Sequence, residues 1–195
     1  HVINEDITTK KFKKILKSKM NGTSIEGVVA GLPCQSFSSV GRAQDKYSMR
    51  KDKRNYFYKD FFECLKIIKP KFYVFENVRG ILSAKPNGTK IFDDILNLSK
   101  KLGYVTLDNT SQMVFDTSEY GVPQVRKRVF VIGVLKKYSY IIPKIYGELI
   151  NKSKEKKIFT VKDAIADLPS LRPGEGEEKL KFKNSSKNNY LKKIK

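Results

Sequence analysis

Ligands for metal and disulfide chemistry are nearly absent from this chain. It contains two cysteines, Cys34 and Cys64, a single histidine, His1, and no tryptophan. The two cysteines lie 30 residues apart and form no Cys-x-x-Cys pair. Neither a disulfide framework nor a zinc site is therefore expected, and both thiols are predicted to be free.

Long apolar runs are absent as well. No stretch approaches the roughly 20 apolar residues that a membrane-spanning helix needs, and no signal peptide is visible. Hydrophobic residues nevertheless make up 39% of the 195 residues, which is enough for a packed core. The sequence predicts a soluble protein of the cytoplasm with no membrane contact.

Acidic residues are scarce beside basic ones. The chain has 40 lysines and arginines against 20 aspartates and glutamates, a net charge of +20. Such an excess favours a polyanionic partner, of which nucleic acid is the commonest. Only seven of the 40 basic residues are arginine, however, and lysines also accumulate on solvated faces, so charge alone leaves both interpretations open.

The apolar pattern alternates between strands and helices. Three β-branched or aromatic segments are predicted to be buried strands: 25–31, 72–78 and 128–134. Two segments carry apolar residues at three- and four-residue spacing and are predicted helices: 55–69 and 90–103. Segment 104–115 is expected to add a strand. This alternation predicts an α/β fold, a largely parallel sheet with helices on both faces.

The character of the chain changes after Leu135. The next residues are basic and broken by Pro143 and Gly147, which predicts a linker or an excursion of the chain. Thr160 is then the predicted N-cap of a short helix over 160–168. The C-terminal 17 residues contain seven lysines and no acid, and we expect part of this segment to be disordered. The chain is therefore divided at 135/136.

Three polar clusters lie where predicted strands end or begin. They are Pro33-Cys34-Gln35, Glu76-Asn77, and the segment from Gln124 to Arg128. Ligands of open parallel sheets sit beyond the carboxyl ends of the strands. The clusters are therefore expected to belong to one site.

Each cluster by itself has a structural and a chemical interpretation. Cys34 is either an inert thiol or a nucleophile, and the hydroxyl-rich, basic loop that follows it suits closure over phosphates. Glu76 either pairs with an arginine or donates a proton, with Asn77 fixing its orientation. Arg126 and Arg128 either form salt bridges or place a guanidinium on a carbonyl oxygen that gains negative charge.

Together and in this order, the clusters resemble the cytosine C5 DNA methyltransferases. That family carries a Pro-Cys-Gln loop, a Glu-Asn-Val strand and a Gln-x-Arg-x-Arg strand entrance, which stand here at 33–35, 76–78 and 124–128. The "DKR" at 52–54 is similar to the family's phosphate-contacting Asp-x-Arg element. The "EDIT" at 5–8 resembles the segment whose aspartate meets the adenine of S-adenosylmethionine.

The resemblance implies a fold and a set of binding residues. The fold would be Rossmann-like, with residues 1–135 as the central part of the catalytic domain, its first strands missing, and 136–195 as a linker and the start of a target-recognition region. The implied S-adenosylmethionine-binding residues are Asp6, Ile7, Pro33 and Phe57. The implied DNA-binding residues are Gln35, Ser38, Arg42, Arg54 and Gln124.

The resemblance also implies a mechanism. Cys34 would attack C6 of a cytosine flipped out of double-stranded DNA, Glu76 would act at N3, and Arg128 would hold O2, with Arg126 in support. Such an enzyme would be a bacterial modification methylase associated with the nucleoid. The family's glycine-rich cofactor loop and target-recognition domain do not occur within residues 1–195, so further segments or a second chain are expected to supply them.

Two other functions remain open from the sequence. An RNA-directed member of the same family would methylate tRNA with the same residues. A non-catalytic binding module would keep the charge and the fold without the chemistry.

Overall fold

The computed structural model describes residues 2–38, 52–152, 157–179, 190 and 192. The chain divides into two compact units. One comprises His1–Phe115 with Lys127–Ile150, and the other comprises Asp116–Arg126 with Asn151–Lys195. No helix within the described ranges is long and apolar enough to cross a membrane.

The described helices and strands follow the predicted alternation. In chain order they are α1 (Lys10–Lys19), β1 (Gly27–Gly31), α2 (Phe57–Ile68), β2 (Phe72–Val78), α3 (Ile91–Lys101), β3 (Tyr104–Val105), β4 (Val114–Asp116), β5 (Lys127–Leu135), α4 (Ile142–Gly147) and α5 (Val161–Ile165). The strand predicted over 104–115 is two short strands, β3 and β4, separated by a 3-10 turn over Thr110–Met113.

The sheet is mixed rather than largely parallel within the described residues. Its order is β1-β2-β5-β3, and β4 also pairs with β5. Strands β1 and β2 are parallel, whereas β5 runs antiparallel to β2 and to β3. The apolar pattern of a buried strand is the same in either direction, so the pattern of β5 did not predict this orientation.

The antiparallel orientation decides what lies at the edge of the sheet. Gly31 at the end of β1 is opposite Glu76, and Val78 at the end of β2 is opposite Arg128 at the start of β5. The carboxyl ends of β1 and β2 therefore share one edge with the entrance of β5.

One face of the sheet packs on α2 and α3. Tyr73 and Phe75 of β2 are fully buried, and the Phe61 ring of α2 lies 5.7 Å from each of their rings. The Tyr73 hydroxyl donates to Ser99 Oγ of α3 at 2.8 Å. These contacts hold β2 rigidly behind the edge that carries Glu76.

The opposite face packs on residues 136–150. Ile141 and Ile145 line a cavity of about 340 Å³ together with Phe72 and Val134. Phe72 and Val134 are opposite each other in the sheet, and their side chains point to the face away from Tyr73, because side chains alternate along a strand. The Tyr146 hydroxyl bonds to two backbone groups of β5, the Phe130 carbonyl at 2.9 Å and the Ile132 N–H at 3.2 Å.

Residues 136–150 are therefore a folded excursion of the chain within the first unit. In the sequence, the lysines and Pro143 of this segment make it look polar. Ile142 and Tyr146 are nevertheless buried and recur at helical spacing. Helices thus cover both faces of the sheet, as expected.

The second unit contains the predicted short helix. The Thr160 hydroxyl accepts from the Asp163 N–H at 3.2 Å, and the Asp163 carboxylate accepts from the Thr160 N–H at 2.8 Å. This reciprocal pair is a capping box, which confirms Thr160 as the N-cap. In the same unit the Phe159 ring lies 5.0 Å from the Tyr190 ring.

Candidate active site

Cys34 lies three residues beyond the end of β1. Its backbone has φ −112° and ψ 4°, in the sparsely populated bridge region where active-site residues are often found. Its carbonyl oxygen accepts from the N–H groups of Phe37 and Ser38, both at 3.0 Å. A single 3-10 turn thus holds the thiol, which is half-buried and free.

Cys64 is chemically different. It is buried in α2, and burial raises the pKa of its thiol to about 11. At neutral pH it stays protonated, and a thiol is a poor nucleophile compared with a thiolate. Cys34 is therefore the candidate nucleophile of the chain.

Glu76 and Arg128 form an ion pair across β2 and β5. Arg128 Nε lies 2.9 Å from Glu76 Oε1, with side chains 14% and 31% exposed. The register explains the pair, because Val78 is opposite Arg128 and Glu76 is two residues before it on the same face. The molecule thus contains the carboxylate–arginine pair that the structural interpretation of Glu76 predicts.

Arg128 keeps a free donor despite this pair. Its Nη1 donates to the Lys127 carbonyl at 2.9 Å, and Nε faces Glu76. Nη2 has no hydrogen-bond partner among the residues that the structure describes. The guanidinium can therefore hold Glu76 and a further acceptor at the same time.

Gly31 leaves the Glu76 carboxylate accessible from the β1 side. A Cβ atom at Gly31 would lie 3.4 Å from Glu76 Oε2. Since Cys34 follows Gly31 by three residues, the carboxylate and the thiol share this edge of the sheet.

Asn77 does not orient Glu76 through its side chain. Successive strand residues point to opposite faces, and Asn77 is 1% exposed on the face away from Arg128. Its Oδ1 accepts from the Val78 N–H at 2.8 Å, and its Nδ2 has no partner in the described part of the chain. It lies in a narrow crevice with Pro33 and Phe57.

A cavity of about 830 Å³ opens beside the ion pair. Its lining joins the Cys34 turn, the segment after β2 and the start of β5: Phe37, Ser38, Val78, Arg79, Gly80, Leu82, Ser83, Lys127 and Arg128. Sequence reasoning missed Arg79, Ser83 and Lys127. The positions of two of them could have indicated a role at the site, since Arg79 directly follows β2 and Lys127 begins β5.

The four predicted cofactor-binding residues lie in two places. Pro33 and Phe57 share the crevice beside Asn77. Asp6 is exposed in a turn, where its carboxylate accepts from the Thr8 N–H at 2.8 Å and the Thr8 hydroxyl at 2.9 Å. These bonds lower the pKa of Asp6 below its usual value, so the carboxylate is an acceptor at neutral pH. Ile7 beside it is half-buried.

Two of the predicted DNA-binding side chains lie near the thiol in sequence. Gln35 is exposed, and Ser38 lines the cavity. Arg54 binds Asp52 in a fork, with Nη2 2.7 Å from Oδ2 and Nε 2.9 Å from Oδ1. The Arg54 side chain lowers the pKa of Asp52, so the pair stays ionised.

The remaining predicted residues fall elsewhere. Gln124 and Arg126 are exposed in the second unit, just before β5, where the Arg126 N–H donates to Asp116 Oδ1 at 3.3 Å. Arg42 lies outside the described residues. Within the described ranges no group of three or more histidine, cysteine or acidic side chains could hold a metal ion.

Comparison with known proteins gives one consistent result. The family model described as C-5 cytosine-specific DNA methylase matches residues 1–195. The type II methyltransferase M.Bpa9945I of Bacillus paralicheniformis is 39% identical over 160 residues, 80% of this chain and 35% of that protein. The type II methyltransferase M.DdeI of Desulfomicrobium norvegicum is 35% identical over 190 residues, 97% of this chain and 42% of that protein.

A solved structure agrees with the sequence comparisons. A protein described as a DNA modification methyltransferase encoded within an E. coli prophage is 29% identical and superposes with a TM-score of 0.60, over 87% of this chain and 42% of that one. This likeness confirms the predicted Rossmann-like α/β fold. The chain spans less than half the length of these relatives.

Proposed function

This chain belongs to the C-5 cytosine-specific DNA methylase family, and from that premise we propose that the protein carrying it methylates C5 of a cytosine in double-stranded DNA. The observation that carries the proposal is the Glu76–Arg128 pair at the sheet edge that Cys34 shares. By its relation to type II methyltransferases, the protein would serve as the modification enzyme of a restriction–modification system.

The residues present suit S-adenosylmethionine as methyl donor. Asp6 offers an ionised acceptor for an exocyclic amine such as that of adenine. Pro33 and Phe57 offer apolar surface beside the Cys34 loop. The bound cofactor supplies an electrophilic methyl group.

The chemistry requires a nucleophile because C5 of cytosine is too poor a nucleophile to take a methyl group unaided. The Cys34 thiolate adds to C6, and the π electrons of the C5–C6 double bond shift toward C4 and N3. The product is an enamine whose C5 is nucleophilic. Glu76 hydrogen-bonds or protonates N3 as negative charge develops there. The free Nη2 of Arg128 donates to O2, while Nε still holds Glu76.

Product release reverses the addition. Once C5 carries the methyl group, its proton is lost to solvent, the electron pair re-forms the C5–C6 double bond, the C6–S bond breaks, and N3 returns to Glu76 any proton that it received. Cys34 leaves as a thiolate and is ready for another turnover. The thiol is thus a catalyst, neither consumed nor oxidised.

The target base has to leave the DNA helix for this chemistry. A stacked cytosine exposes neither face of C6 to a protein thiolate, so the base is flipped out. The cavity of about 830 Å³ is within the usual size of small-molecule sites, roughly 300–1,000 Å³. Its size is therefore sufficient for a nucleotide beside Arg128, the partner of Glu76 that lines it.

Replacement of the nucleophile tests the proposal in the full-length protein. We expect Cys34→Ser to abolish methyl transfer and to retain DNA binding, which depends on phosphate contacts. DNA with 5-fluorocytosine should trap a covalent adduct at Cys34, because the fluorine cannot leave as a proton does. The matched control, Cys64→Ser, should keep both methylation and trapping.

Two outcomes would overturn this assignment. Undiminished turnover of Cys34→Ser, or an adduct at Cys64, would exclude the proposed nucleophile. Methylation of tRNA but not of DNA by the wild-type protein would leave the residue roles intact and change the substrate.

A further inference from the structure

Two cations at the cavity have no counter-charge. Arg79 and Lys127 are both exposed and line the cavity beside Arg128. Among the described residues, neither side chain has an ion pair or a hydrogen bond. By contrast, Arg54 is held by Asp52.

The sheet places these two cations next to each other. Val78, the last residue of β2, is opposite Arg128 of β5. Arg79 follows Val78 and Lys127 precedes Arg128, so both cations lie at the same end of the β2–β5 pair. Two positive side chains at neighbouring positions repel each other, by an amount that depends on the separation of their charged groups and on the local dielectric. An anion bound between them would remove that repulsion.

Among the described residues, the cavity lining contains no carboxylate. Glu76 nearby neutralises only one charge, that of Arg128. Two positive charges therefore remain uncompensated, together with the hydroxyls of Ser38 and Ser83 on the same wall. Cations and hydroxyls are the groups that bind phosphate oxygens in protein–DNA complexes.

We propose that Arg79 and Lys127 form a phosphate clamp that holds the phosphodiester next to the flipped cytosine. This inference rests on the proposed function and adds binding residues to it. Arg79 can bind two phosphate oxygens in a fork, and Lys127 acts as a point charge. The clamp fixes the backbone of the flipped nucleotide while Glu76 and Arg128 hold its base.

The test uses the full-length protein and a duplex that contains its target site, located by mapping the 5-methylcytosines that the wild-type protein makes. The variants are Arg79→Gln and Lys127→Gln. The matched control is Lys101→Gln, an exposed lysine in the last turn of α3 that does not line the cavity. The dissociation constant is measured over a range of salt concentrations, and the methylation rate is measured in single turnover at saturating DNA.

Each clamp variant should weaken DNA binding about tenfold and reduce the salt slope, log K against log salt, by about 1. The dissociation constant and the salt slope are the deciding quantities, because a contact to phosphate acts mainly on binding. Lys101→Gln should leave all three quantities near their wild-type values. A clamp variant that behaves like Lys101→Gln would overturn the proposal.

Chemical removal of the phosphate charge locates the contact. An uncharged methylphosphonate next to the target cytosine should weaken wild-type binding clearly more than it weakens the binding of Arg79→Gln, in which only Lys127 still contacts that phosphate. If Arg79→Gln remains as sensitive as wild type, Arg79 does not bind that phosphate. A lower rate at saturation with an unchanged salt slope would instead place Arg79 on the base. A wild-type protein that binds but does not methylate DNA would count against the proposed function alone.

Discussion

Glu76 and Arg128 stand 52 residues apart in the sequence and 2.9 Å apart in the structure. Their roles differ although they form one pair. Glu76 acts on a ring nitrogen whose charge changes during the reaction, and Arg128 acts on a carbonyl oxygen. Each contribution is greatest in the transition state, so a loss should appear in turnover more than in affinity.

Substitution of either partner measures these contributions. In the full-length protein, Glu76→Gln should lower turnover far more than DNA affinity, because glutamine can accept or donate a hydrogen bond but cannot protonate N3. Arg128→Ala should lower turnover by about 100- to 1,000-fold, as expected for the loss of one donor to a developing negative charge. Steady-state kinetics and DNA titration give the two quantities.

Glu63→Gln is the matched control for the carboxylate. Glu63 is exposed on α2 and has no role in the proposed chemistry, so turnover should not change. Unchanged turnover with weaker binding in Glu76→Gln would show that Glu76 is a surface contact instead.

At the scale of elements, β5 determines the site because it brings Arg128 to the end of β2. Its position depends on a close approach at Gly133, which is opposite Tyr73. A Cβ atom at Gly133 would lie 2.1 Å from Tyr73 Cε1. The Tyr73 ring cannot move aside easily, because it is fully buried and its hydroxyl bonds to Ser99.

Gly133→Ala should therefore destabilise the protein by at least about 1–3 kcal/mol, the usual cost of overpacking a core. Urea unfolding measures the change in the free energy of unfolding. The matched substitution is Gly147→Ala in α4, where a Cβ atom would meet nothing within 4 Å and alanine favours the helix by up to about 1 kcal/mol. Equal stability of the two variants would contradict the packing of β5 on Tyr73.

At the scale of the whole molecule, residues 1–195 contain the nucleophile, Glu76 and Arg128 but no glycine-rich turn between a described strand and the following helix, and they span less than half the length of the relatives. Nucleotide cofactors on sheets of this type are held chiefly at such a turn, where backbone N–H groups point at the ligand. Asp6, Pro33 and Phe57 alone offer only part of such a site.

Residues 1–195 alone should therefore bind S-adenosylmethionine weakly and show no methylation. Titration calorimetry of this chain, compared with the full-length protein, measures the difference. The full-length protein should bind more tightly. Micromolar binding by residues 1–195 alone would show that the cofactor site lies within them.

Local sequence patterns were sufficient for several elements. The predicted strand 72–78 has the bounds of β2, and the capping box at Thr160 and Asp163 formed as expected. Helix α1 was not predicted, although the Thr9 hydroxyl caps it by accepting from the Phe12 N–H and Leu16 follows Phe12 at helical spacing. These features depend on residues within a few positions of one another, and the sequence contains that information directly.

Other features were decided only by the tertiary structure. A buried strand has the same apolar pattern whether it runs parallel or antiparallel, so the direction of β5 could not be predicted from that pattern. Residues 136–150 look polar in the sequence, and only the folded structure shows that Ile142 and Tyr146 are buried. The sequence by itself determined which side chains could perform the chemistry. The pairing of Glu76 with Arg128 and the position of Arg79 and Lys127 at one end of two strands required the register of β2 and β5, because contacts between distant residues depend on how the strands align.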